Sequence, residues 1–268
     1  MAHILLPTDF SDHALNACAY ALDLFGGAGN TYTLMHSYID PVPGYASMVD
    51  MSGEFYASSV EGMLRFTERF RGLKGADGTV VFTEVVPGTL ETAIATVCKE
   101  KGVDVIVMGT QGATGVDLFG SNAASVAKAS RVPVLVVPKG ATFNGLRHIL
   151  LADDHRSVEP LALRPLVKLA RQFGADITIA HVLRNAAEEP DARIVADYDE
   201  TFAQVAHTYT DAKGDDVALA LSTVAERDNM DMVAVLHRHV GFLDSLFHGS
   251  VAKHLALHTR IPLLVLEH

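Results

Sequence analysis

Short apolar runs rich in β-branched residues alternate along this chain with longer segments of helical periodicity. Residues 4–7 read as a buried strand, and Ser11 is placed to cap a helix over 12–24 that Gly26 and Gly27 stop. A second strand is expected over 31–38. The stretch 41–53, PVPGYASMVDMSG, then reads as a turn-rich loop, longer than a minimal connection. Residues 54–73 carry Phe55, Val60, Met63, Leu64, Phe66 and Phe70 at helical spacing, which predicts one apolar face. Strands over 79–86, 103–108 and 133–137 and helices over 90–101 and 121–130 complete the unit. Five apolar strands separated by helices imply a parallel sheet covered on both faces.

The plan then repeats. HILLPTD at 3–9 matches HILLADD at 148–154, an offset of 145. Residues 104–108 (DVIVM) match 231–235 (DMVAV), and 131–137 (RVPVLVV) match 260–266 (RIPLLVL). Three matches in the same order describe a duplicated domain whose second copy has a shorter middle. The expected fold is therefore α/β, two tandem Rossmann-like domains over 1–139 and 147–268, joined by the polar linker KGATFNG.

Composition narrows the function classes. Hydrophobic residues make up 49% of the 268-residue chain and charged ones 20%, which excludes a disordered chain. Lys and Arg total 21 against 32 Asp and Glu, a net charge of −11, which argues against nucleic-acid binding. No run approaches the ~20 apolar residues of a membrane span. The opening MAHILLPTDF lacks the basic stretch of a secretory signal, so a cytoplasmic location is expected, with Cys18 and Cys98 as reduced core thiols.

Candidate chemistry sits where an open parallel sheet binds ligands, beyond the C-terminal strand ends. One segment is Pro7-Thr8-Asp9-Phe10-Ser11, after the first strand. The other follows the fourth strand and carries Gly109, Gly112, Gly115 and Gly120 before Ser121 and Asn122. Glycines let backbone N–H groups close on an anion, and the helix start at Ser121 adds unpaired donors and a positive dipole end. The same glycines would also serve simply to shape a long turn. The segment is not a P-loop: G-x-x-x-x-G is followed by Ser121 where Lys is required and by Asn122 where Ser or Thr is.

The PTDFS start, VIVMGTQGATG…GSN and the following VPVLVVP resemble the universal stress protein family in its tandem form, over nearly the whole chain. The resemblance implies ATP binding through a G-x2-G-x9-G-[ST] motif and an acidic residue after the first strand. Carried over by position, Thr8 and Asp9 would lie at the nucleoside, His36 and Ser37 beside the adenine, and Met108, Gly109, Gln111 and Gly112 at the phosphates. Gly120, Ser121 and Asn122 would cradle the phosphate chain from the helix start. Seven residues separate Gly112 from Gly120 where the family pattern has nine. In the second copy Leu236 and His239 replace Gly109 and Gly112, so ATP is expected in the N-terminal domain alone. The resemblance further implies that the last strands of the two copies pair, making one chain an intrachain pseudo-dimer; a homodimer of chains stays open.

Other clusters have ordinary explanations. His237 and His239 form a His-x-His pair with His248, His254 and His258 following, but no further ligand stands at a metal-site spacing. His36 and His181 occupy matching places and suit packing or hydrogen bonding. Asp153 and Asp154 are adjacent at a strand end and should point different ways, which disfavours a shared acid–base role. No nucleophile elbow or nucleophile–base pair is apparent. The expected function is a non-enzymatic, ATP-binding stress-response protein with an adenine nucleotide and an unidentified protein as partners. The alternatives are a ligand-free interaction scaffold, or a second domain that responds to a metal or small molecule through its histidines.

Overall fold

The first apolar run forms β1 (His3–Pro7), which leads into α1 (Asp12–Phe25). The Ser11 side chain accepts from Ala14 N–H at 3.2 Å to start that helix, and Gly26 ends it with a positive φ of 77°. Then follow β2 (Thr31–Tyr38), α2 (Val49–Arg71), β3 (Val80–Pro87), α3 (Leu90–Lys101), β4 (Val105–Gly109), α4 (Ser121–Ala129) and β5 (Val134–Val137). This computed structural model describes residues 1–39, 49–110, 121–153, 159–183, 191–213, 217–237 and 261–267. Among them the chain divides into two units that meet at Gly140 and Ala141.

In the first unit the strands are parallel and ordered β3-β2-β1-β4-β5. Right-handed crossovers put α1 and α2 on one face of such a sheet and α3 and α4 on the other. The packing agrees: α1 touches α2, and α3 touches α4. The order reverses between β1 and β4, which leaves a crevice at their C-terminal tips.

The second unit repeats the plan with β6 (His148–Asp153), α5 (Pro160–Phe173), β7 (Asp176–Leu183), α6 (Ala192–Thr201), β8 (His207–Lys213), α7 (Val217–Arg227), β9 (Met232–His237) and β10 (Leu263–Glu267). Its order is β8-β7-β6-β9-β10, again parallel. Register is preserved as well. His3 pairs with Thr31 in one unit and His148 with Asp176 in the other, both 28 residues apart. An aspartate clasps each sheet at the strand starts. Asp104 accepts His3 N–H at 2.7 Å, and Asp231 accepts Arg147 and His148 N–H at 2.7 and 3.0 Å.

Three expectations need correction. The turn-rich stretch 41–53 is helical from Val49, against the weak helix propensity of Val49, Asp50, Ser52 and Gly53, as the N-terminal part of a helix that continues to Arg71. Phe55 and Leu64 do not join the apolar face of α2; they are 46% and 63% exposed, while Met63, Phe66 and Phe70 are buried. A single sheet face accepts only the narrow stripe at 63, 66 and 70. Cys98 is half-buried rather than a core residue, although burial still pushes its thiol up to about 11. Cys18 is fully buried, and its thiol is raised further still by desolvation, so both thiols are poor nucleophiles.

Candidate functional site

The crevice of the first unit closes into a cavity of about 220 Å³. Pro7, Thr8 and Asp9 reach it from the tip of β1, His36 and Ser37 from β2, and Met108, Gly109 and Thr110 from β4. Ser121, Asn122 and Ala123 open α4 onto it, with Ala14 of α1 and Leu90 of α3 completing the wall. Of the eleven residues singled out from sequence, eight meet here: Thr8, Asp9, His36, Ser37, Met108, Gly109, Ser121 and Asn122. Gln111, Gly112 and Gly120 lie outside the described residues.

Local hydrogen bonds fix the β1 tip. Thr8 N–H donates to Met35 C=O at 2.8 Å, which carries the parallel ladder one residue past the strand. Thr8 Oγ1 accepts Phe10 N–H at 2.9 Å, and Asp9 Oδ1 accepts Ser11 N–H at 3.1 Å, two side-chain turns that bend the chain into α1. His36 donates through Nδ1 to Thr8 C=O at 2.8 Å, which sets its tautomer if the ring is neutral. The phenyl ring of Phe10 lies against that imidazole, with centroids 4.3 Å apart. His36 thus does two things, bracing the β1 tip and lining the cavity.

The polar groups offered to a ligand are a carboxylate, hydroxyls and the start of a nine-residue helix with no acidic residue in its first turn. No Lys or Arg is among the described lining residues. An anion here would be held by backbone N–H groups and the helix dipole rather than by a counter-charge.

Sequence reasoning missed Thr110, 4% exposed, and Leu90. Thr110 adjoins Gly109, and its position past a strand end was a usable signal. Leu90 arrives through the β3–α3 connection, and nothing local in the sequence points to it. In the second unit, Leu236 takes the position of Gly109 and is buried at the tip of β9. Asp154, Arg238, His239, His248, Gly249, Ser250, His254 and His258 lie outside the described residues. Among the described residues, no group of three or more His, Cys, Asp or Glu side chains is arranged to hold a metal. Nor is any described helix long and apolar enough to cross a membrane.

Comparison with known proteins places this architecture. The universal stress protein family model matches residues 1–138 and again 145–267. A universal stress protein of Methanocaldococcus jannaschii is 29% identical over 141 residues, covering 51% of this chain and 81% of that protein. The crystal structure of a universal stress protein from Archaeoglobus fulgidus is similar over 99% of this chain and 96% of its own, with a TM-score of 0.69 and 17% identity. A protein of unknown function from Pseudomonas aeruginosa is similar over 100% and 92% of the two chains, with a TM-score of 0.59 and 13% identity. At such identities these structures speak for the fold, while the two family matches cover both halves of the sequence. The chain belongs to the universal stress protein family and carries two copies of its domain.

Proposed function

We propose that the first unit binds an adenine nucleotide, ATP, in the cavity at the tips of β1 and β4. In this reading the chain is a non-enzymatic, cytoplasmic stress-response protein in which nucleotide occupancy biases a surface for a protein partner. The observation that carries the reading is convergence. Residues chosen from three separated stretches of sequence, around 8, 36 and 108–122, line one cavity at the point where strand order reverses.

The donor set fits a nucleotide. The Asp9 carboxylate has the acceptor chemistry to take hydrogen bonds from ribose hydroxyls, and the side of the cavity near His36 and Ser37 suits a flat base. The N–H groups opening α4 at Ser121 and Asn122 suit phosphate oxygens. Bound ATP would stabilise whichever conformation of the protein it prefers, and by that differential affinity alone. In the second unit, the buried Leu236 side chain stands where Gly109 leaves the β4 tip bare, which restricts the nucleotide to the first unit.

One observation favours the scaffold reading. A volume of about 220 Å³ lies below the ~300 Å³ at which small-molecule pockets begin. Calorimetry with ATP on the whole protein separates the two. Nucleotide binding predicts a saturable heat that weakens about tenfold or more in Asp9→Asn, as expected for a lost charge-assisted hydrogen bond, and in Gly112→Val. No heat at millimolar ATP would discard the nucleotide in favour of the scaffold. Full affinity in both variants would move the ligand elsewhere.

A further inference from the structure

The two units treat one region of their sheets in opposite ways. In the first, Phe10 adopts a positive φ of 67° and places its ring between His36 and Phe66, at centroid distances of 4.3 and 6.1 Å. A Cβ added to Gly62 of α2 would stand 2.5 Å from that ring. The space above the tips of β1 and β2, on the α2 face, is filled.

In the second unit the same strand tips present Asp153 in place of Thr8 and His181 in place of His36, at the offset of 145. Both are buried, 5% and 6% exposed. Tyr198 of α6, 1% exposed, donates its hydroxyl to Asp153 Oδ1 at 3.0 Å, and His181 donates through Nδ1 to Asp153 Oδ2 at 3.3 Å. The covering helix is also shorter: α6 has 10 residues and α2 has 23. A cavity of about 530 Å³ opens between α6 and strands β7 and β8, well inside the range of about 300–1,000 Å³ typical of small-molecule pockets. It lies on the α6 face of its sheet, and Asp153 and His181 in its wall take the positions that Thr8 and His36 hold in the cavity of the first unit.

The chemistry of the walls is one-sided. Ile179, Ile194 and the Tyr209 ring supply apolar surface, and Asp191 and Asp211 add exposed carboxylates at the rim. Tyr209 is held in place because its hydroxyl donates to Asp199 Oδ1 at 2.8 Å, with Val195 C=O a second acceptor within reach at 3.2 Å. No Lys or Arg is among the described lining residues. An anionic ligand would face three carboxylates without a compensating charge.

We propose that this cavity binds a small organic cation, a protonated amine or guanidinium on a short apolar or aromatic body. Asp153 already receives two hydrogen bonds, so it fixes the floor, and Asp191 and Asp211 meet the cation. The Tyr209 ring offers a flat face beside them, where a cation or an aromatic body packs well.

The test is calorimetric titration of the whole protein with agmatine and with benzylamine. Asp211→Asn removes a rim charge from an exposed side chain. Asp191→Ser removes the other and keeps a helix-capping acceptor for Arg193 N–H. Asp77→Asn, an exposed carboxylate in the first unit, reports on overall charge. The expected result is one-to-one binding that weakens about tenfold or more in each rim variant and is unchanged in Asp77→Asn. Thermal unfolding of the variants near the wild-type midpoint confirms that they fold. The proposal is overturned by absence of binding of both probes at about 10 mM, weaker than any useful site. Equal weakening in Asp77→Asn, or full affinity in both rim variants, overturns it as well.

Discussion

Gly62 lies within α2, where a glycine ordinarily costs about 0.5–1 kcal/mol relative to alanine. Its reason for being there is the Phe10 ring, which leaves no room for a Cβ. Forcing a methyl group into such a contact costs about 1–3 kcal/mol, which outweighs the gain in helix propensity. Gly53, in the same helix, has open space around its Cβ direction. Gly62→Ala is therefore expected to lower stability by about 1–2 kcal/mol, and Gly53→Ala to raise it by about 0.5–1 kcal/mol. Urea unfolding of the two variants checks the opposite signs; stabilisation by both would mean that Phe10 does not rest on α2. None of this was legible in the sequence. Phe10 follows Asp9 in a connection with no periodicity, so its packing had no pattern to betray it. Asp9 and Ser37 could be read, because residues at the C-terminal tip of a parallel strand are placed by the sheet itself.

Elements were more legible than their faces. Every strand and helix expected in the first unit is present, since Ser11, Thr89, Gly26 and Gly102 punctuate the chain where helices start and stop. The burial of α2 was misjudged at Phe55 and Leu64, because helical spacing identifies a stripe but not how wide the facing sheet is. Another coupling between elements has a pH signature. His207 of β8 bonds through Nδ1 to Val205 C=O at 2.9 Å and through Nε2 to Asp199 of α6 at 2.9 Å. Both partners accept, so the protonated ring, with two N–H donors, satisfies both. Burial opposes that charge, but the bonds to Val205 and Asp199 prevail and raise the pKa above 6.5. The Asp199 carboxylate is lowered by hydrogen bonds from His207 and Tyr209. The histidine's contribution to stability is thus complete below pH 6.5 and is lost as pH rises through its raised folded-state value. The Asp199 contribution is lost at the other end, as pH falls through its lowered value. In His207→Gln the midpoint of thermal unfolding should trail the wild type by most in mildly acidic solution, and the gap should close toward alkaline pH. A gap independent of pH would mean that packing, not charge, joins α6 to β8.

At the scale of the molecule, a net charge of −11 surrounds a proposed anion site whose described walls include no Lys or Arg. The field of the protein then opposes ATP while the α4 start attracts it at short range. Raising salt from about 0.01 M to about 0.1 M shortens the screening length from about 30 Å to about 10 Å, which silences distant carboxylates before nearby N–H groups. ATP affinity is expected to rise over that interval, whereas an amine in the cavity under α6 should weaken. Parallel titrations at the two salt levels measure both; ATP affinity that falls with salt would place basic side chains at its phosphates.

The clasping aspartates at the strand starts carry one more implication. Asp104 and Asp231 perform the same task in the two units, and the register beside them is unchanged. At the far ends, Thr8 has become Asp153 and Gly109 has become Leu236. A strand of five or six residues, with ~3.3 Å of rise for each, separates these ends. That distance separates assembly from chemistry. Side chains at one rim hold the strands together in both units, so those at the opposite rim can differ between the units without disturbing the pairing.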